Sequence, residues 1–518
     1  MKKILLILFV FLSISGWATK IYLSPSGNDG NAGTIGSPKK TLVAAWAVVS
    51  AGDTIYMRGG THAYDNMQYL QLRNGTSGHR INIWGYPGET AVITRSASYA
   101  VVNGVDQDLI YCEGDYLYWK DLEIANFIQK PGETAYPAMR FGFTNNSIFE
   151  NLNYHDNAAG LSIRGASSNN LIYNCDFYNN KDPYSETPYD GADGVQINFC
   201  SGTNNVIRKC RAYWNADDGI DVWENLGTVT IDSCWSFFNG YIPGTFTTAG
   251  NGSGIKLGST TGTNVNTLYR TVTNCVVWKN RSFGIVENAL LGKSNIYNNT
   301  VGRTGVYGFW FGAWNASVAT IKNNISYSES NDITGNAAPT FNSWQVATLT
   351  SADFQSLDST QLYAARVSNQ LPTLTFVKLV AGSDLIDAGT DVGFGNDIGA
   401  FQYSAGGNAS PTANAGTDQT ITLPTSSVTL TGSGTDSDGS ITAYAWTKIS
   451  GTGGTIVSAS SATTSVTGLT AGTYVFRLTV TDNESATGTD DITITVNAAG
   501  QTIDGFRLRG RRYIFRTN

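Results

Sequence analysis

Short apolar runs broken by polar turns recur through the middle of the chain at a fixed spacing. Asn or Cys sits inside an apolar strand at Asn151, Cys175, Cys210, Cys234, Cys275, Asn299 and Asn324, with gaps of 24, 35, 24, 41, 24 and 25 residues. The base period is about 24, with insertions in two gaps. A second pattern starts at Gly160, Gly194, Gly219, Gly254, Gly284 and Gly308: glycine, an apolar residue, any residue, then usually another apolar one. Two short strands per repeat predict an all-β, right-handed parallel β-helix. One coil cannot bury its apolar residues alone, so coils stack and share a core. Equivalent residues then lie about 4.8 Å apart. Asn180, Asn215, Asn239 and Asn280 each follow a cysteine by five residues and are expected to form an amide ladder along a turn. Leucine-rich repeats share the period but need leucine at fixed places, which this chain lacks.

The pattern changes at both ends. Lys2 and Lys3, the apolar stretch Ile4 to Ile14, and the small residues Gly16 and Ala18 read as a signal peptide over 1–18, so an exported protein is expected. Its apolar run is short for a membrane span, and membrane insertion is not expected. Thr41 to Ser50 predicts a short helix capping the exposed strand edges of the first coil. The solenoid is expected to reach about Tyr403, giving a β-helix domain over 19–404. Residues 405–410 read as a linker, and 411–497 as alternating Thr, Val and Leu strands. Pro411-Thr-Ala-Asn-Ala-Gly, Gly434-Thr-Asp-Ser-Asp-Gly-Ser and Tyr444-Ala-Trp446 lie in this stretch. With Tyr474-Val-Phe-Arg-Leu-Thr-Val-Thr-Asp-Asn483, they resemble a PKD-type, immunoglobulin-like β-sandwich module. That resemblance implies a spacer or a carbohydrate-contacting appendage. The tail, 498–518, holds five arginines and fits neither domain.

Composition agrees with strands and turns: Gly 57 in 518 residues and only 14 % charged. The net charge is −7 and the pI about 5.1, which disfavours nucleic acid or anionic lipid as partner. If the ligand is acidic, a cation must mediate. Three histidines, His62, His79 and His155, make His-ligated metals and histidine triads poor candidates. The stacked cysteines read as small buried side chains, although an exported protein could form disulfides there.

Acidic residues concentrate in two adjacent coils: Asp190-Gly-Ala-Asp193-Gly-Val, then Asn215-Ala-Asp217-Asp218-Gly-Ile-Asp221. Alignment on Gly194 and Gly219 stacks Asp193 on Asp218. Strand alternation turns Ile220 and Val222 inward and Asp221 outward, with Asp217 on the same parity. Four carboxylates on one patch repel each other, and Ca²⁺, with its preference for several oxygen ligands, is the expected remedy. Turn aspartates capping local N–H groups are the alternative. One coil further on, Gly252-Ser-Gly254-Ile-Lys256-Leu-Gly258 places Lys256 in the outward column Ser162, Gln196, Asp221, Lys256, Val286, Trp310. A lysine there, among glycines that would keep the surface open, is a candidate base. A salt bridge to Asp221 is the competing reading.

These motifs, with Tyr22-Leu-Ser-Pro-Ser-Gly-Asn-Asp and Gly52-Asp-Thr-Ile-Tyr-Met-Arg-Gly-Gly-Thr, resemble polysaccharide lyase family 9 pectate lyases over most of 20–403. The resemblance implies Asp193, Asp217, Asp218 and Asp221 as Ca²⁺ ligands and Lys256 as the base that starts β-elimination on a polyuronate such as pectate. Activity is expected mainly at alkaline pH. Where family members often carry a histidine, this chain has Arg270, which could bind a uronate carboxylate. Trp310 is a candidate sugar-stacking residue, with surface packing as the alternative. The expected partner is an acidic polysaccharide, the expected state a monomer. A polygalacturonase-type hydrolase would share the fold and could use the aspartate pairs, but its Arg-Ile-Lys signature is absent. A non-enzymatic glycan-binding adhesin would explain the repeats but not the lysine beside the aspartates.

Overall fold

The computed structural model describes residues 18–499 apart from 100–106, 135, 259–266, 291, 312–317, 330, 336, 368, 404–407, 409 and 437–439. The signal-peptide stretch up to residue 17, most of the linker and the tail from residue 500 lie outside the described residues. Two compact units emerge, 1–403 and 404–518.

The first unit is a stack of parallel coils. A ten-stranded sheet forms one face, and its strands follow one another in chain order. They are β1 (Gln68–Leu70), β2 (Ile110–Cys112), β3 (Pro137–Gly142), β4 (Ala159–Gly165), β5 (Val195–Cys200), β6 (Ile220–Asp221), β7 (Ile255–Lys256), β8 (Phe283–Val286), β9 (Tyr307–Phe311) and β10 (Ile333–Gly335). A twenty-stranded parallel assembly supplies the remaining faces. Register explains the core: Leu161, Val195, Ile220, Ile255, Ile285 and Phe309 pair in sequence across β4 to β9, and all are fully buried. Parallel strands of this kind bury an apolar column only if each coil repeats it.

The stacked glycines serve packing. A Cβ at Gly160, Gly194, Gly219, Gly254 or Gly284 would strike the carbonyl of the next glycine in the column or a neighbouring side chain. The expectation that glycines around Lys256 keep the surface open is therefore corrected for Gly254, whose absent side chain makes room for Val277 and Asn280.

The amide ladder is present. Asn180 Nδ2 donates to Asn215 Oδ1 at 2.8 Å, Asn215 to Asn239 at 3.0 Å, and Asn239 to Asn280 at 2.9 Å. All four are buried, so each amide dipole is satisfied by its neighbour instead of water. The cysteine column differs by one residue from the sequence alignment. Asn153 pairs with Asp176, which puts Leu152, not Asn151, below Cys175. Asn151 instead aligns with Asn174, and both adopt left-handed backbone, with φ of 52° and 59°. Asparagine tolerates that conformation well, so a turn column of its own runs beside the core column. All six cysteines are free and buried.

The capping helix α1 (Leu42–Trp46) is shorter than the sequence predicts. Thr41 caps it, accepting from Ala44 N at 3.2 Å, and the chain leaves the helix to bury Val49. The last paired strand of the twenty-stranded assembly ends at Thr340, not near Tyr403. A second amide ladder runs from Asn299, whose Nδ2 donates to Asn324 Oδ1 at 2.9 Å, to Asn342, which accepts from Asn324 at 3.0 Å. The following segment packs outside the coils: Phe354, Leu362, Phe376 and Leu385 join Trp235, Phe237 and Trp278 in a second apolar cluster. Arg366 fastens this segment with Nη2 2.6 Å from Asp176 Oδ1.

The second unit has sheets that are antiparallel apart from Gln419–Thr422, which pairs parallel to Thr487–Asn497, around Trp446, Tyr474, Phe476, Leu478 and Ile492. Gly472–Asp482 pairs on either side with Ile441–Ser450 and Thr487–Asn497, alternating buried and partly buried residues from Tyr474 onward as a half-buried sheet requires.

Candidate functional site

The outward column on the ten-stranded sheet has the expected register. Ser162 pairs with Gln196, Gln196 with Asp221, Asp221 with Lys256, Lys256 with Val286, and Val286 with Trp310. All of these but the fully buried Ser162 floor a groove of about 700 Å³, also lined by Asp193, Asp217, Trp223 and Phe283.

Asp193 and Asp218 occupy the turns just before β5 and β6. Their stacking is fixed by the backbone: Asp218 N donates to Asp193 Oδ1 at 3.0 Å, and Ser253 N to Asp218 Oδ1 at 2.5 Å. Asp221 sits on β6 and accepts from Trp223 N at 2.9 Å. Ligand oxygens of Asp193, Asp218 and Asp221 lie within 4.8 Å of one another, and the three residues are 2 %, 0 % and 4 % exposed. Asp217 lines the same groove, but its carboxylate falls outside this cluster and accepts from Asn251 N. Gly250 must lack a side chain, because a Cβ there would meet Asp217 Oδ1.

Lys256 Nζ is 2.9 Å from Asp218 Oδ2, without hydrogen-bond alignment, and 3.5 Å from Asp221 Oδ2. Three carboxylates face one ammonium, so their full ionisation would leave two negative charges uncompensated in a buried place. Burial first, then Asp221 and Asp218, pushes the Asp193 carboxyl well up. Burial raises Asp221 to about 6 even though Lys256 pulls it down. Burial also raises Asp217, with Asp218 and Asp193 adding to it. On Lys256 burial acts downward, but the attraction of Asp218, Asp221, Asp193 and Asp217 outweighs it and raises the ammonium's pKa. A divalent cation fits this donor set: hard, oxygen-only, pre-stacked and short of two positive charges.

Arg270 is not in the groove. It is 1 % exposed and donates to four carbonyls: Leu257 at 2.8 Å, Gly227 at 2.6 Å, Tyr269 at 3.1 Å and Asn225 at 2.8 Å. Its role as a uronate-binding residue is therefore corrected. It ties the coil of Asp221 to that of Lys256, and burial lowers its pKa to about 9 against the smaller opposing pulls of Cys200, Tyr269 and Asp221. Trp310 does line the groove, stacked on Phe283 with ring centroids 5.2 Å apart.

A second outward set went unrecognised in the sequence: Arg164, Asn198 and Trp223, each two residues beyond the first column. Strand alternation alone would have found it. Phe199, beside it, could not have been found that way, because it reaches the groove through an irregularity in β5.

Comparison with known proteins agrees with this geometry. Residues 21–331 match the family described as Pel9A-like, right handed beta helix region, and residues 415–496 match a family described as a PKD domain. A pectate lyase, PEL9, of Emericella nidulans is 31 % identical over 339 residues, 60 % of this chain and 79 % of that protein. The crystal structure of pectate lyase Pel9A superimposes with a TM-score of 0.63 at 29 % identity, covering 75 % of this chain and 97 % of the other. A rhamnogalacturonan lyase structure gives a TM-score of 0.63 at 28 % identity, covering 71 % and 98 %.

Proposed function

The chain belongs to the Pel9A-like right-handed β-helix family of polysaccharide lyases, and from that premise we propose that it is exported and cuts a polyuronate, pectate first among candidates, by Ca²⁺-dependent β-elimination. The observation that carries this reading is Lys256 beside the buried cluster of Asp193, Asp218 and Asp221, with Lys256, Asp193 and Asp221 lining the groove. Export rests on the leader-like residues 1–18. No helix among the described residues is long and apolar enough to cross a membrane.

Asp193, Asp218 and Asp221 would hold the cation, with Asp217 at its edge. When bound, Ca²⁺ would supply positive charge that acidifies the proton at C5 of the uronate and opposes the carboxylates that keep Lys256 protonated. Neutral Lys256 accepts the C5 proton at Nζ. The C5–H electron pair becomes the C4–C5 double bond as the C4–O bond breaks, and the leaving oxygen takes a proton from solvent. Trp310 offers an apolar face to a sugar further along the groove. Lys256 is 12 % exposed at its side chain, which limits the water that competes for its proton.

A screen of polyuronates with and without Ca²⁺, followed by ultraviolet absorbance of the unsaturated end, tests the proposal. Saturated reducing ends instead would indicate a hydrolase, and binding without products a glycan-binding protein.

A further inference from the structure

We propose that Arg164 is a specificity-determining residue that binds the carboxylate of a uronate remote from the cleaved bond. The inference rests on the lyase reading above and adds a residue to the substrate site.

The groove is poor in cations. Its described lining includes Asp182, Glu186, Asp190, Asp193, Asp217 and Asp221, against Arg164 and Lys256 alone. An anionic chain laid there is repelled along most of its length, so a guanidinium on the wall has a large differential effect. Arg164 lies on β4, two residues past Ser162, and Ser162 is two coils below Asp221 in the register. Two strand spacings and two residues along the strand amount to about 10 Å and about 7 Å. Lys256 lies one coil further still, and that separation points Arg164 to a sugar other than the uronate at Lys256.

The residue is held as a prepared fork. Its Nε donates to Ser162 Oγ at 3.0 Å and to Asn198 Oδ1 at 3.2 Å. The guanidinium carbon lies 5.3 Å from the ring centroid of Phe199. Phe199 arrives there through a bulge: Ile163 pairs with Ile197, but Gly165 pairs with Cys200, and Phe199 has φ of 49°. Bulges re-aim side chains at functional surfaces, and here one supplies the platform for a planar cation. The supports are buried: Ser162, Gln196 and Asn198 are 0 %, 7 % and 5 % exposed. Asn198 Nδ2 donates on to Gln196 Oε1 at 3.1 Å, and Gln196 Nε2 to Asp193 Oδ2 at 2.7 Å. One amide relay thus orients both Arg164 and a carboxylate of the cluster. A guanidinium fixed at Nε and stacked on a ring suits bidentate capture of a carboxylate, which lysine would not reproduce.

The test uses oligogalacturonates of defined length, from trimer to octamer, with Arg164→Gln and Arg164→Lys, both checked for wild-type melting. Each variant should match the wild type on the shortest oligomer cleaved. On longer oligomers KM should rise roughly 10- to 100-fold for Arg164→Gln, less for Arg164→Lys, with kcat little changed. An equal loss at every length would mean that Arg164 acts only through Gln196 and Asp193, and no loss would mean that it binds nothing; either overturns the proposal. If the wild type yields no unsaturated product, the lyase reading fails separately. Calorimetric octamer binding then decides Arg164 alone: weaker binding by Arg164→Gln supports it, and equal or absent binding overturns it.

Discussion

Lys256 stands one coil above Asp221 in strict strand register, with Nζ 3.5 Å from Asp221 Oδ2. The same contact serves a base held near a cation site or a plain structural ion pair, and two substitutions separate the roles. If Lys256 is the base, Lys256→Ala should lose about 10²- to 10⁴-fold in kcat. Lys256→Arg should be nearly as poor, because a guanidinium hardly deprotonates. A structural pair instead predicts that arginine rescues activity and that alanine chiefly lowers the melting temperature. Measuring kcat and melting temperature on both variants decides the matter.

Removing the cation gives a second prediction. Excess chelator should abolish turnover and added Ca²⁺ should restore it. If the folded cluster binds Ca²⁺ and the unfolded chain does not, free Ca²⁺ at a hundred times Kd should stabilise the β-helix unit by about 2.7 kcal/mol. Asp221→Asn removes one carboxylate while keeping an oxygen for Trp223 N, now 2.9 Å away. It should weaken Ca²⁺ affinity at least about tenfold, as expected when one charged ligand of a hard cation is lost. Full turnover in chelator, or an unaltered Ca²⁺ titration of Asp221→Asn, would remove the cluster from the mechanism.

Much of this site was legible because a β-helix turns sequence distance into vertical register. Once Gly194, Gly219 and Gly254 are aligned, the positions of Asp221 and Lys256 follow by counting, and the paired strands agree. Counting fails where the backbone departs from regular strand. Phe199 sits in a bulge, and Asn151 takes a left-handed turn one residue before the core column. Arg270 was misplaced for another reason: nothing in its neighbours' identities shows that four main-chain carbonyls already surround it. The segment after Thr340 lacks the repeat, so its packing against Trp278 through Phe376 was not readable from periodicity.

The separation of the chain into 1–403 and 404–518 leads to a third prediction. The second unit has its own core around Trp446 and Tyr474, and every residue assigned to the groove belongs to the first. A protein ending at Ser404 should keep kcat and KM on soluble substrate within about twofold, as expected of an independently folding domain. Loss of turnover with an intact melting transition would mean that the C-terminal unit helps to build the site.

The last prediction concerns pH and a carboxyl that the chemistry does not use. Asp182 is 1 % exposed; its Oδ2 accepts from Ser185 Oγ at 2.8 Å, while its Oδ1 is buried without a hydrogen bond. Burial raises its pKa from 3.8 to about 7, with Asp190 adding a smaller push and Ser185 opposing it. Between those two values the folded chain keeps a proton that the unfolded chain has released. The folded state then binds more protons, so stability falls as pH rises through the window and levels off above about 7. Integrated over the window, the loss is at most about 4 kcal/mol. Asp182→Asn cannot ionise and keeps an oxygen for Ser185. Its melting temperature should lie close to that of the wild type at pH 4 and above it at pH 8, the gap opening through the titration of Asp182. Calorimetric melting of both proteins across that range measures the difference directly. Parallel profiles would mean that Asp182 is ionised in the folded protein throughout, and that water or a cation reaches the buried oxygen.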